Sequence, residues 1–108
     1  MKNTTNIKNG VNIDQLVATI EAIKEDPDVA NFQFRAKTKW VNGGHCRTEY
    51  KTFYGAKVED TSRKEPIILE GDEPSVVLGN DNGANAVEVV LHALASCLSD
   101  GFVYNAAA

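Results

Sequence analysis

The sequence predicts an α+β fold on three observations: a helix-period stretch near the N-terminus, two alternating runs joined by a Gly-rich turn, and a long apolar segment headed by a helix cap. Asn12 and Gln15 stand where an N-cap and its reciprocal partner belong, and Ile13, Leu16, Val17, Ile20 and Ile23 then share one helical face. That first helix should stop near Asp26-Pro27. Phe32, Phe34, Ala36, Thr38 and Trp40 alternate with Gln33, Arg35, Lys37 and Lys39, the period of a half-buried strand. Asn42-Gly43-Gly44 supplies a turn, and a second alternating run, His45 to Tyr54, completes a hairpin. In that second run Cys46, Thr48, Tyr50, Thr52 and Tyr54 share one face, and His45, Arg47, Glu49, Lys51 and Phe53 share the other. Ile67, Ile68 and Leu69 predict a third strand, with loops at residues 71–74 and 79–83. The Asn80-Asp81-Asn82-Gly83 stretch is no calcium loop, because the first ligand position of that pattern falls on Leu78.

Asn85 caps the last helix, and Glu88 is spaced to reach back to the cap. From Val87 to Tyr104 apolar residues take nearly every face, which predicts a long central helix buried by a wrapping sheet or a partner helix. Its length would span a bilayer, but Glu88, His92 and Asp100 interrupt it, so no membrane role is expected. The final residues hold no Gly, Lys or Arg to end a helix, so this helix is expected to continue beyond Ala108.

The 108 residues suit one domain, and the formal charge of −4 argues against a nucleic-acid partner. Every Lys and Arg lies between Lys2 and Lys64, so a cation serving the last helix must come from the first half of the fold or from another subunit. Two cysteines make no disulfide framework, and the opening residues lack the apolar run of a secretory signal, which predicts a cytoplasmic protein with reduced thiols. Disorder is expected near the N-terminus, where the sequon at Asn3 is a chance match. His45, Cys46, His92 and Cys97 lack metal-ligand spacing, so no metal or other cofactor is expected.

The stretch Asn85-Ala86-Val87-Glu88-Val89-Val90-Leu91-His92-Ala93-Leu94-Ala95-Ser96-Cys97 resembles the helix of the OsmC/Ohr family, whose pattern is roughly N-P-x-E-x-L-L-x-A-L-A-x-C. The run from Phe34 to Tyr54, the segment at Glu65-Pro66 and the loop 79–83 resemble the start of the same family. The resemblance implies an N-terminal helical extension over residues 1–29 and the N-terminal part of an OsmC-like domain over 30–108, its C-terminal half missing. It also implies an intertwined homodimer whose sheets enclose two central helices, and reduction of organic hydroperoxides through Cys97. Ala86 stands where the family has Pro, and Val87 where it often has a carboxylate. The family's resolving cysteine lies on a later helix, so an external thiol reductant is implied.

Under this reading Cys97 is the nucleophile, oxidised to a sulfenic acid by the peroxide. It lies 12 residues past Asn85, too far for the helix dipole, and Asp100 one turn away disfavours a thiolate. A guanidinium is therefore required, with Arg47 the first candidate and Arg35 the reserve; the competing reading of Arg47 is a solvated strand residue paired with Glu49. Glu88 lies about 180 degrees and His92 about 140 degrees around the helix from Cys97, so capping and a buried hydrogen bond compete with orienting an arginine and shuttling a proton. Cys46 is a candidate substitute resolving cysteine, against plain strand packing. The alternative to an enzyme is a noncatalytic dimeric OsmC-like module for ligand binding or assembly.

Overall fold

The computed structural model describes residues 6–108 and is α+β. The Asn3 sequon and the start of the expected N-terminal disorder lie outside these residues. Strands β1 (Ile7–Lys8) and β2 (Val11–Asn12) form a short hairpin that the sequence analysis did not foresee. Its turn is Asn9-Gly10, both at positive φ (51° and 81°), the dipeptide that most readily takes a tight hairpin turn. Helix α1 (Ile13–Glu25) follows at once: Asn12 accepts from the Gln15 backbone N–H, and Asp26 ends the helix before Pro27. The cap is one-sided, since no bond from the Gln15 side chain returns to Asn12. A 3-10 turn, Pro27–Ala30, leads away.

The expected single long hairpin is split into two. Strands β3 (Lys37–Asn42) and β4 (His45–Tyr50) pair antiparallel around Gly43-Gly44, with a bulge between Trp40 and Asn42. Beyond Tyr50 the chain turns off, and β5 (Phe53–Gly55) pairs with β6 (Val58–Asp60), another strand not anticipated. The connecting Ala56 and Lys57 both have positive φ (50° and 68°), a costly choice for residues with a Cβ. A 2.6 Å ion pair from Lys57 Nζ to Asp26 holds the turn in place. The segment carrying Phe32 and Phe34 is not an extension of β3: Gln33 exchanges backbone hydrogen bonds of 2.8 and 3.0 Å with Tyr54 instead. Phe32, Phe34 and Phe53 stack there at centroid distances of 5.1–6.4 Å. A Cβ at Gly55 would collide with the Phe32 ring, so a larger residue there would displace part of this stack.

Strand β7 (Ile67–Gly71) is the expected third strand and completes a sheet of order β3-β4-β7. Register fixes its two faces. Lys37, Lys39, His45, Arg47, Glu49, Ile68 and Glu70 share one, and Thr38, Trp40, Cys46, Thr48, Tyr50, Ile67 and Leu69 the other.

Helix α2 (Ala86–Ala107) opens with both halves of the capping box: Glu88 N–H donates to Asn85 at 2.9 Å and Asn85 N–H to Glu88 at 3.0 Å. Ala86 and Val89 lie over the apolar sheet face, beside Cys46, Thr48, Tyr50 and Leu69, around an open cavity of about 290 Å³. Tyr104, at the other end of the helix, faces Val11, Leu16 and Phe32 across a groove of about 750 Å³.

Between these ends α2 is not buried, contrary to expectation. Leu91, Leu94, Leu98 and Phe102 are 57–75% exposed, and Ala107 is the sole buried residue of the helix. Nothing among the described residues wraps it. The chain exposes 8354 Å², against roughly 5,900 Å² for a compact monomer of its mass. Its radius of gyration is 18.4 Å, where about 13 Å would be usual. Replacing the α2 cap, Asn85→Ala, should cost about 1 kcal/mol, read as a lower thermal midpoint by circular dichroism.

Candidate functional site

Cys97 sits in the middle of the uncovered stretch of α2 and is itself exposed, which corrects the expectation of a buried sulfur. No hydrogen bond or ion pair reaches it among the described residues. Its helical neighbours Leu94 and Leu98 are also open, so the thiol stands on an apolar surface in contact with solvent.

The two arginine candidates differ in what remains available on each. Arg35 meets Glu59 end-on, Nη1 and Nη2 each donating at 2.8 Å, so both terminal nitrogens are engaged. Arg47 meets Glu70 side-on through Nε at 2.7 Å, and neither of its terminal nitrogens has a partner among the described residues. The other Glu70 oxygen lies 2.6 Å from His45 Nε2. Glu70 is thus the main partner of Arg47, in place of the Glu49 named in the competing reading. Arg47 holds the Glu70 carboxyl below the usual carboxylate range, with His45 adding to the effect, and Glu70 in turn raises Arg47.

Within the chain Arg47 and Cys97 are not brought together. Arg47 lies on the charged sheet face, whereas α2 starts over the opposite, apolar one. Cys46 is half-buried on the apolar face, its sulfur packed beside Gly71. Glu88 is occupied as the cap partner of Asn85. His92 is exposed rather than buried, with a long 3.5 Å contact from Nε2 to Ser96 Oγ. No group of three or more potential metal ligands occurs among the described residues.

The loop between β7 and α2 holds a group that sequence reading missed. Asp72 is 3% exposed, and its carboxylate accepts from the Glu73 N–H at 2.7 Å, the Asn82 N–H at 3.1 Å and the Asn82 side chain at 2.7 Å. It clamps residues 73–82 to the sheet end, and Gly79 packs so closely on the Glu73 backbone that any Cβ would collide. The clamped loop presents Val76 and Leu78, 87% and 94% exposed, at its tip. The signal lay in the Asp72 and Asn82 residue types, but their ten-residue separation is no recognisable turn motif.

By length and composition α2 could also cross a membrane, with a mean hydropathy of 1.5 over its most apolar window. Compared with known proteins, the chain matches no family model and none of the curated proteins.

The Asn82 backbone bond, foremost, holds the Asp72 carboxyl below its ordinary value of 3.8. A depressed native value stabilises the clamp fully above the unfolded value, and that contribution fades as pH falls below about 4. The protection factor of the Asn82 amide hydrogen, measured against the unstructured exchange rate at the same pH, should therefore fall in that acid range. Asp72→Asn should show a lowered protection factor already at neutral pH, with no further fall in acid.

Proposed function

We propose that the chain is an OsmC-type thiol peroxidase component, reducing apolar organic hydroperoxides through Cys97 within a homodimer. The observation that carries this reading is an accessible sulfur at the centre of an otherwise apolar, uncovered helix. Covering such a helix with a second copy encloses the sulfur in hydrocarbon, a setting that favours apolar substrates. The surface left open beyond that of a compact monomer is on the order of 2,500 Å², enough to supply the interface of an obligate homodimer.

The chemistry needs a cation beside the thiolate, and the geometry within one protomer does not supply it. We assign it to Arg47 of the second copy, whose terminal nitrogens are unengaged among the described residues, in preference to Arg35, whose fork is filled by Glu59. The thiolate attacks the peroxide O–O bond, forming the Cys97 sulfenic acid and releasing the alcohol once the leaving oxygen is protonated. A first external thiol condenses with the sulfenic acid to a mixed disulfide, with water leaving, and a second thiol attacks that disulfide, restoring the Cys97 thiol and releasing the oxidised reductant. A reducing, cytoplasmic setting suits this cycle and keeps both cysteines as thiols.

A second reading, a noncatalytic OsmC-like module for assembly or ligand binding, is favoured by one observation: Arg47 is turned away from α2 and tied to Glu70. The two readings part on one assay. The peroxidase reading expects cumene hydroperoxide to be consumed in the presence of dithiothreitol, with a sulfenic acid trapped on Cys97 and both lost in Cys97→Ser. Equal consumption by wild type and Cys97→Ser, or an unmodified Cys97 after peroxide, leaves the assembly module.

A further inference from the structure

Two apolar features stand at opposite ends of α2. At its start, the loop held by Asp72 carries Val76 and Leu78 outward, almost fully exposed. The loop has its shape before any partner arrives. Asp72 bonds across it, and Gly79 and Gly83 sit so close to the Glu73 and Glu70 backbones that a Cβ at either would collide. An apolar tip held in one shape loses little conformational freedom on docking. At the far end, Tyr104 faces Val11, Leu16 and Phe32 across the groove of about 750 Å³, in the size range of sites that take up a small molecule. Ala86 to Tyr104 is about 27 Å along the helix, so the clamped tip does not reach the groove of its own chain.

Between the two ends, Val87, Leu91, Leu94, Leu98 and Phe102 recur at spacings of three and four, the pattern of a helix-pairing seam. They fall within about 80 degrees of one another, and Ala86, Val89 and Tyr104, which face the sheet or the groove, lie on the roughly opposite side. All of the seam is largely exposed. A closed pair of copies is related by a two-fold axis, so such a seam meets itself either parallel or antiparallel. Charge selects between them. No Lys or Arg follows Lys64, and the loop and first turn of α2 carry Glu73, Asp81 and Glu88, which a parallel pair would crowd together from both copies. An antiparallel pair separates them and sends each acidic end toward a groove beside which Lys8 stands, opposite Val11 in the β1–β2 hairpin.

We propose that a second copy of the chain, lying antiparallel along α2, seats its Val76–Leu78 tip in the groove between Tyr104, α1 and the first hairpin, with the same contact repeated at the other end. The inference rests on the homodimer of the proposed function and names the surfaces that build it. The midpoint between Ala86 and Tyr104 falls at Ala95, inside the exposed stretch, so one axis there brings both tips to both grooves. The surplus surface on the order of 2,500 Å² per chain suffices for a permanent dimer, which buries about 2,000–5,000 Å² in total. The seam uses one face of the helix, and the two seated tips close its ends.

The test combines sedimentation equilibrium with cross-linking of the full chain. Leu78→Asn keeps a residue suited to the positive φ of 73° at that position, and removes a side chain that touches little within its own chain. It should raise the dimer dissociation constant about a hundredfold, roughly tenfold for each of the two equivalent contacts. In a background of Cys46→Ser and Cys97→Ser, chains carrying Val76→Cys are co-expressed with chains carrying Gln15→Cys, a groove residue, and treated with a short bismaleimide. A product joining one chain of each kind is expected, and Val76→Cys chains alone should give none, because the tips lie at opposite ends of the pair. A wild-type dimer whose strength ignores Leu78→Asn leaves the groove to another occupant and overturns the seat, as does tip-to-tip linkage, while the homodimer itself stands. Wild-type chain that stays single at every concentration overturns the homodimer and this inference together. The thiol chemistry is read separately, since neither measurement uses Cys97.

Discussion

Among the described residues the α2 helix lies over the sheet through its first turn and faces the N-terminal hairpin and α1 near Tyr104, and the rest of the structure depends on the open stretch between. Leu91, Leu94, Leu98 and Phe102 stay largely in water there. Each such side chain forgoes about 1.5–3 kcal/mol that full burial would contribute, and a domain's net stability is only about 5–15 kcal/mol. Four residues are therefore enough to decide whether the chain is stable by itself. Trp40, Ile67 and Leu69 are open as well on the sheet face over which α2 begins, so the exposed helix and the exposed strand face are parts of one unmet demand.

That demand also governs the chemistry proposed for Cys97. The sulfur is accessible because its helix is bare, and the cation it needs is not within its own protomer's reach. Reactivity and assembly are thus coupled in the proposal: an interface that enclosed the thiol without bringing a guanidinium would leave it a packing residue. The side-on hold of Glu70 on Arg47 and the end-on hold of Glu59 on Arg35 show how similar ion pairs leave very different groups for a ligand.

Much of the fold was legible wherever local chemistry and tertiary position agree. The Asn12 and Asn85 caps, the stop at Asp26-Pro27, the Gly43-Gly44 turn and the strand at Ile67 to Leu69 all depend on residues within a few positions of each other. What was missed depends on partners distant in the chain. Ala56-Lys57 carries no turn signature and is held by Asp26, 31 residues away. Phe32 and Phe34 alternate like the rest of their strand, yet they pack on Phe53 because Gln33 bonds Tyr54. The Asn9-Gly10 hairpin is the exception, a local signal passed over in a stretch expected to be disordered. In the candidate site the residue types were visible, but the Arg47–Glu70–His45 arrangement needed the β4–β7 register, and the exposure of Cys97 needed the path of α2.

The account turns on whether a second copy covers α2, and sedimentation equilibrium over a wide concentration range addresses this most directly. A species of twice the 11.7 kDa chain mass, persisting on dilution to low micromolar concentrations, is the predicted result. A cooperatively folded protein that sediments as a single chain throughout that range would contradict it.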